Sequence, residues 1–232
     1  MINLKDFIFT VDDILTDEEC DFIIENFGKN EICKERCFES NSTEIRESTV
    51  DITSLVPNTE AFDLVHNATN HLIYEYSQYL EKLDFVWVEG MMGGMTHSHD
   101  YRLMKYSVDQ SIHDHVDKSP VVSGSATLAL NDGYEGGLFR FFKGKHKVRT
   151  KKRQGMIFPA ETYFVHGVAP VTRGVRWSVN SFLGMKECVA EHNKDRYGAD
   201  SLFHAATIPH ITKINAPYIK SAEAFVDEVN SK

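Results

Sequence analysis

Apolar residues recur at helical spacing in two segments near the start of the chain. The first has apolar residues at positions i, i+3, i+4 and i+7, namely Cys20, Ile23, Ile24 and Phe27. Thr16 and Glu19 have the spacing of a capping box ahead of this stripe, and Gly28 follows it as a stop signal. The second segment begins at residue 58 or 59 and ends near residue 83, with a stripe formed by Phe62, Val65, Leu72, Ile73, Tyr76 and Leu80. We therefore predict two amphipathic helices, each burying one face.

The segments around these helices are assigned from β-type composition and turn residues. Residues 7–14 and 85–88 are rich in apolar and β-branched residues, which predicts a short strand in each. Residues 29–49 have no steady period and are interpreted as a loop. Residues 89–100 contain three glycines and no period, which predicts a flexible loop. Such a loop either closes over a site or simply connects two elements.

From residue 101 onward the pattern changes to short β-type runs separated by turn residues. Eight runs are predicted as strands, over residues 103–108, 112–116, 126–130, 138–142, 145–150, 156–158, 163–168 and 175–183. Strands at this spacing are typical of antiparallel sandwiches and barrels, and a double-sheet jelly roll needs eight. We expect a mostly β fold with flanking helices, in which a double-stranded β-helix (jelly-roll, cupin-like) is braced by the N-terminal helices.

One domain is expected to cover residues 1–232. Residues 1–100 would form a helical support and lid region, residues 101–185 the jelly-roll core, and residues 186–232 a C-terminal extension with a short helix near residues 221–229. The start of the chain lacks the features of a secretory signal, and no stretch has the length of a membrane span. The expected location is therefore the cytoplasm. Four irregularly placed cysteines are expected to be reduced thiols.

The net charge of −9 argues against a protein built mainly to bind nucleic acid. One basic segment, from Lys143 to Arg153, is an exception because its cationic residues alternate as they would along one face of a strand. An acidic protein partner or a nucleic acid is one interpretation of this stripe. A solvated strand face is the favoured one, because charge runs usually have that role.

His115 and Asp117 are two positions apart, so on a strand their side chains would share one face. Together they would supply two thirds of a facial metal-binding triad, and a later histidine would complete it. The downstream candidates are His146, His166, His192, His204 and His210. His166 is the best placed, because it lies in the seventh of the eight predicted strands, and such a strand can return beside the second. The local pattern does not exclude His113, which would share the same face.

An ordered set of motifs resembles the iron(II)- and 2-oxoglutarate-dependent dioxygenases of the prolyl 4-hydroxylase type. The motifs are Tyr106-x8-His115-x-Asp117, Leu130-Asn131-Asp132, Tyr134-Glu135-Gly136-Gly137, Gly155-x2-Phe158 and His166-x3-Pro170-Val171-x2-Gly174-x-Arg176. The opening stretch, residues 11–20, is also similar to the usual start of that family. A single His-x-Asp motif would be weak, whereas the ordered set is specific. The resemblance implies that His115, Asp117 and His166 bind Fe(II), with positions left for 2-oxoglutarate and O2.

The resemblance also implies a binding site for the cosubstrate. Arg176 would receive the far carboxylate of 2-oxoglutarate in two parallel hydrogen bonds, and Tyr106 matches a family tyrosine that contacts the same molecule. Ser178 shares the strand face of Arg176 and would add a hydroxyl. Tyr106 and Ser178 each have a simpler interpretation. Tyr106 would be a core aromatic residue, and Ser178 an ordinary polar residue of a strand. Ascorbate is expected as the reductant.

The expected activity is hydroxylation of an unactivated C–H bond, with a prolyl residue of a peptide or protein as the substrate. The same chemistry on a free amino acid, another small molecule or a nucleic-acid base is an alternative, and a cupin-like metal-binding protein without turnover is another. Arg176 distinguishes the metal-binding protein without turnover from the oxygenases, since a protein that is not an oxygenase needs no buried arginine to bind a dicarboxylate. Three positions depart from common family residues: Asp109 replaces a glycine, Ile112 an aromatic residue, and Arg176 a lysine. The first two place the prolyl substrate in doubt.

Overall fold

The computed structural model describes residues 3–29, 32–38, 45–119 and 122–185. These residues form a 3-10 helix over Leu4–Phe7 and three α-helices, α1 (Asp17–Ile24), α2 (Glu60–Glu81) and α3 (Val88–Gly93). They also form strands β1 (Phe9–Val11), β2 (Ile32–Phe38), β3 (Ile45–Ser54), β4 (His97–Tyr106), β5 (Ile112–His115), β6 (Gly124–Ala129), β7 (Glu135–Gly136), β8 (Phe139–Phe141), β9 (His146–Val148), β10 (Gly155–Pro159), β11 (His166–Val168), β12 (Val171–Arg173) and β13 (Arg176–Gly184). The predicted terminal helix near residues 221–229 lies outside the described residues, and the single-domain assignment stays a prediction.

The two predicted amphipathic helices are confirmed. At the start of α1 the Thr16 hydroxyl accepts from the Glu19 N–H at 3.1 Å, and the Glu19 carboxylate accepts from the Thr16 N–H at 2.7 Å. Helix α2 begins after Thr59, whose hydroxyl accepts from the Phe62 N–H at 3.4 Å. These side chains satisfy N–H groups that the first turn leaves without helical partners. Among the described helices, none is both long and apolar enough to cross a membrane.

The strands form two facing antiparallel sheets and a short third one. The large sheet has the order β1-β10-β6-β13-β4-β3-β2, the small sheet β5-β11-β8-β9, and the third pairs β12 with β7. The predicted fold class is confirmed: a mostly β protein with a double-stranded β-helix braced by N-terminal helices. Since several neighbouring strands, such as β6 and β13 or β5 and β11, are far apart in the chain, residues distant in sequence meet in the interior.

The large sheet separates two hydrophobic clusters. Leu103 on β4 packs into the outer cluster with the helices, whereas Met104 and Tyr106 pack into the inner cluster between the sheets. On β10, Ile157 packs outward and Phe158 inward by the same alternation. All six residues of β6 are buried, because both faces of this central strand are covered. The space between the sheets is therefore the interior into which a site can be built.

Residues 29–49 were predicted as a loop, and this prediction is wrong for the described residues 32–38 and 45–49, which lie in strands. Strand β2 pairs with β3, with Cys33 opposite Ile52, and β3 continues the large sheet by pairing with β4. Within the hairpin, Val50 and Ile52 alternate toward the inner cluster, with exposures of 0% and 1%. Two apolar residues are too few to predict a strand from the sequence. Strand β3 is stabilised by backbone hydrogen bonds to β4.

The strand predicted at residues 85–88 and the loop predicted at residues 89–100 are also wrong. Phe85 and Trp87 are exposed, and a helix, α3, begins at Val88. Val88 and Met92 pack into the outer cluster at helical spacing, and residues 97–100 belong to β4. Gly90 permits close packing rather than flexibility, because a Cβ there would clash with the Trp87 ring.

The predicted basic strand is correct only in part. Lys143 and Gly144 lie in a turn with φ values of 56° and 80°, and the strand covers only His146–Val148. The cationic residues still alternate into solvent, with Lys145, Lys147 and Arg149 exposed. Arg149 also donates to the Gly136 carbonyl at 3.0 Å, so the solvated face is the interpretation that the structure favours.

The departure at Asp109 keeps the backbone conformation that a glycine would adopt. Asp109 has a φ of 68°, and its N–H donates to the Val171 carbonyl at 2.8 Å. Aspartate tolerates this left-handed region better than most residues with a Cβ. The other departure, Ile112, is buried in the inner cluster opposite Val168, so it is a packing residue.

We expect Asp109→Ala to lower the free energy of unfolding by about 1 kcal/mol, because alanine lacks the local hydrogen bonding that makes the left-handed region accessible to aspartate. Asp109→Gly should change it by less than about 0.5 kcal/mol, since relief of strain offsets the extra chain entropy of glycine. Urea denaturation of the two variants measures the difference. Equal stability of the two would show that the backbone at this position carries no strain.

Candidate metal and cosubstrate site

Three potential metal ligands converge between the two sheets. Strand pairing places His115 of β5 directly opposite His166 of β11, and Asp117 lies two residues beyond the end of β5. Asp117 Oδ1 lies 3.2 Å from His115 Nε2, and Asp117 Oδ2 lies 3.3 Å from His166 Nε2. One ligand atom from each residue lies within 4.8 Å of the other two. Two imidazoles and a carboxylate in this arrangement form the donor set of a facial triad.

Backbone carbonyls fix the orientation of both imidazole rings. Nδ1 of His115 lies 2.8 Å from the carbonyl oxygen of His113, and Nδ1 of His166 lies 3.0 Å from that of Phe164. An Nδ1–H that donates to a carbonyl leaves the Nε2 lone pair to face a metal ion. This tautomer follows from the hydrogen-bond geometry. The chain thus supports the two imidazoles in the form that a metal requires.

The competing histidines do not join this group. His113 supplies its carbonyl to His115, and its ring is not among the converging ligands. His146 lies on β9, with its ring centroid 6.3 Å from that of Phe141, and is also outside the group. His192, His204 and His210 lie outside the described residues. The structure therefore brings together the same three residues that the resemblance implied.

Asp117 is held in its ionised form. Burial alone would raise the pKa of this carboxyl, but the neighbouring His166 and His115 outweigh burial and hold the pKa well below its ordinary value. The Ser125 hydroxyl donates to Asp117 Oδ2 at 2.5 Å. An ionised carboxylate beside two imidazole nitrogens is a donor set suited to a divalent cation.

Arg176 is a buried guanidinium that lacks a complete set of partners. Its exposure is 1%, and its Cζ lies 4.7 Å from the Tyr106 ring centroid and 5.0 Å from that of Phe139. Nη1 donates to the Ser178 hydroxyl at 3.2 Å, whereas Nε and Nη2 have no hydrogen-bond partner among the described residues. Unpaired buried donors are costly, so this group fits a bound anion with a planar carboxylate. The far carboxylate of 2-oxoglutarate has that shape and charge.

A glycine makes room for this guanidinium. Gly137 has a φ of 61°, and a Cβ there would lie 3.0 Å from Arg176 Cδ and 3.0 Å from the Tyr134 ring. The Gly136-Gly137 motif that carried part of the resemblance thus shapes the wall beside Arg176. A larger residue would push the side chain out of its place between the aromatic rings.

Tyr106 and Ser178 lie next to Arg176 on the interior face. Tyr106 is opposite Arg176 in the β4–β13 pairing, and both Tyr106 and Ser178 have an exposure of 0%. The Tyr106 hydroxyl lies 3.8 Å from Met104 Sδ, which is a weak acceptor. Their placement agrees with cosubstrate contact, and their roles stay predictions.

Aromatic side chains surround the histidine of β11. The Phe158 ring centroid lies 4.8 Å from that of His166, and the Phe141 centroid lies 5.7 Å from it. Phe139 and Phe164 belong to the same inner cluster, as predicted for packing residues. Trp177 faces the other way and packs edge-on against Phe27 at 5.1 Å. The inner aromatic wall lowers the access of water to the site.

Several polar residues around the site were not singled out from the sequence. Arg102 donates through Nε to both Asp100 oxygens, at 3.3 and 3.2 Å, and its Cζ lies 4.7 Å over the Phe182 ring. Asn180 accepts from Thr127 at 2.7 Å. The two-residue period of β13 could have predicted that Asn180 and Phe182 face the interior, because they lie on the same strand face as Arg176.

The family model described as the 2OG-Fe(II) oxygenase superfamily matches residues 101–184, from within β4 to the end of β13. The predicted resemblance to this superfamily is confirmed. The match implies Fe(II), 2-oxoglutarate and O2 as the expected reactants, and the His-Asp-His group lies within the matched segment. A search of curated protein sequences finds no match to the chain.

Solved structures show the same fold at low sequence identity. A viral collagen prolyl hydroxylase from Paramecium bursaria Chlorella virus-1, in complex with 2-oxoglutarate, is 16% identical with a TM-score of 0.54, covering 77% of this chain and 96% of that one. A prolyl 4-hydroxylase from Pseudomonas putida is 19% identical with a TM-score of 0.56, covering 77% and 92%. A Trichoplax adhaerens prolyl hydroxylase, in complex with a hypoxia inducible factor peptide fragment, is 12% identical with a TM-score of 0.57, covering 80% and 87%.

Proposed function

We propose that this chain is an Fe(II)- and 2-oxoglutarate-dependent hydroxylase that acts on a prolyl residue of a peptide or protein. His115, Asp117 and His166 hold Fe(II), and Arg176 binds the far carboxylate of 2-oxoglutarate. The observation that carries the proposal is a buried guanidinium in the same interior as the converging triad, with two donors that no described residue pairs. A metal-binding protein without turnover would have no use for that costly group.

The residues of the chain bind, orient and shield the reactants. The bound iron and 2-oxoglutarate supply the oxidation, in which O2 hydroxylates a C–H bond while the cosubstrate becomes succinate and CO2. Arg176 fixes the far end of the cosubstrate, with Ser178 and Tyr106 beside it. The aromatic wall around His166 excludes water, which strengthens the charge-assisted contacts. Ascorbate is proposed as the reductant that keeps the iron in its divalent form.

The choice of a prolyl peptide is supported by the similar structures, which include two prolyl hydroxylases of protein substrates. The net charge of −9 also favours a substrate other than a nucleic-acid base, because neutralising phosphates requires basic residues. Free amino acids and other small molecules remain the alternative that the experiment must separate.

The proposal is tested by mass spectrometry after incubation with Fe(II), 2-oxoglutarate, O2 and ascorbate. Collagen-like proline-rich peptides and free L-proline are compared in parallel, with succinate measured in each reaction. We expect a gain of one oxygen atom on a prolyl residue of a peptide, together with substrate-stimulated succinate. Oxygen gain on free proline alone would assign the small-molecule activity. If neither substrate gains oxygen or stimulates succinate formation, the prolyl assignment is wrong.

A further inference from the structure

We infer that Ser125 is a positioning residue for the metal site, where it orients the Asp117 carboxylate. The inference rests on the proposed role of His115, Asp117 and His166 as metal ligands. It concerns a contact with one ligand rather than with the metal or with either substrate.

The contact itself is short and shielded from water. The Ser125 hydroxyl donates to Asp117 Oδ2 at 2.5 Å, in the range of hydrogen bonds between a hydroxyl and an ionised carboxylate. The exposures of the Ser125 residue and of the Asp117 side chain are 5% and 7%. Since bulk water does not compete strongly at such exposures, the contact constrains the rotation of the carboxylate.

The location of Asp117 explains why such a constraint is needed. His115 and His166 lie on paired strands, and their rings are fixed by backbone carbonyls. Asp117 lies beyond the end of β5, outside the paired part of that strand. Its carboxylate is therefore oriented by side-chain contacts, and Ser125 reaches it from β6, an interior strand of the large sheet.

The residues opposite Ser125 on the two neighbouring strands are apolar. These neighbours are Phe158 on β10 and Phe182 on β13. A hydroxyl on a fully buried strand costs free energy unless it is paired, and the Asp117 carboxylate supplies the acceptor. A serine here is thus unfavourable for packing alone and is explained by its contact with the ligand.

Outer partners of metal ligands typically change metal affinity by about 10- to 100-fold when they are removed. For Ser125 we expect a loss of at least about tenfold, because Asp117 would gain rotational freedom and lose one donor. Metal affinity should depend on the presence of the hydroxyl at position 125 and not on the volume of the side chain.

The test compares Ser125→Thr with Ser125→Val, which have nearly the same shape and differ in the hydroxyl. Co(II) is the probe, with its dissociation constant measured by calorimetry and by the visible absorption of the bound ion. We expect Thr to bind Co(II) within about threefold of wild type and Val to bind it at least about tenfold more weakly. Melting of the metal-free proteins reports any loss of folding.

A second pair separates a metal effect from a packing effect. Ser125→Ala is compared with Ser77→Ala, which removes a buried hydroxyl that donates to the Tyr74 carbonyl on α2. Only the change at Ser125 should weaken Co(II) binding, and this pair decides the matter if Ser125→Val does not fold. Equal Co(II) affinities for Thr, Val and Ala at position 125 would overturn the inference while leaving the metal site intact. A wild-type protein that binds no Co(II) would overturn the proposed ligands as well.

Discussion

Replacing Arg176 with methionine is expected to weaken 2-oxoglutarate binding by at least about 100-fold, which is about 3 kcal/mol for the loss of two charge-assisted hydrogen bonds. The same change should raise the stability of the protein without cosubstrate. Calorimetric titration of 2-oxoglutarate into the anaerobic Co(II)-loaded protein measures the first effect. Thermal melting of the metal-free protein measures the second.

The opposite signs follow from the surroundings of the guanidinium. Within the described part of the chain, Nε and Nη2 are buried donors without partners, and each unpaired donor costs about 1 kcal/mol or more. Methionine fills a similar volume between the rings of Tyr106 and Phe139 and has no donors to satisfy. Loss of the cation–π contacts offsets part of the gain, so we expect a net increase of about 1 kcal/mol in the free energy of unfolding.

Two controls define what the Arg176 result means. Arg176→Lys keeps the charge but not the planar fork, so its cosubstrate affinity should lie between those of Met and wild type. Arg140→Met removes an arginine that pairs with Asp114 at 3.2 Å and should leave 2-oxoglutarate affinity unchanged. Co(II) affinity should stay within about threefold of wild type in the Arg176 variants, since Arg176 is not a ligand in the proposed facial triad. If metal binding and cosubstrate binding were lost in step, Arg176 would have a structural role instead.

The parts of the fold that follow from the sequence are those whose pattern is local. The capping box at Thr16 and the long stripe from Phe62 to Leu80 are contained within single helices, so their periods reveal them. His115 and Asp117 were predicted from strand spacing, since residues two apart on a strand share one face, although β5 ends at His115 and Asp117 lies two residues beyond it. Their pairing with His166 required the family resemblance, because local spacing leaves His113 and several later histidines open.

The parts that the sequence conceals depend on partners far along the chain. The β2–β3 hairpin is held by pairing with β4, and only Val50 and Ile52 mark it as buried. Helix α3 contains glycine where the Trp87 ring packs, so a close contact resembles a flexible loop in the sequence. Ser125 has no local signal at all, because its acceptor lies on a segment of the opposite sheet.

Replacing Asp117 with asparagine is expected to reduce Co(II) affinity by more than about 100-fold, beyond the range for outer partners, and hydroxylation to background. Asparagine keeps the shape of the side chain, but it removes the negative charge that favours a divalent cation. It also keeps an oxygen that can accept from Ser125, so the metal-free fold should survive. Calorimetry with Co(II) and thermal melting measure the two properties separately.

The neighbouring carboxylate gives a matched control for this prediction. Asp114 lies one residue before His115 and pairs with Arg140, and it is not among the converging ligands. Asp114→Asn should therefore keep Co(II) affinity within about threefold of wild type, because the proposed facial triad is untouched. If Asp117→Asn bound Co(II) as tightly as wild type, the carboxylate would not be a ligand. If both variants lost Co(II) affinity, the binding would depend on the negative charge of the whole segment. Loss of a metal ligand would instead weaken binding only in the variant of the coordinating residue.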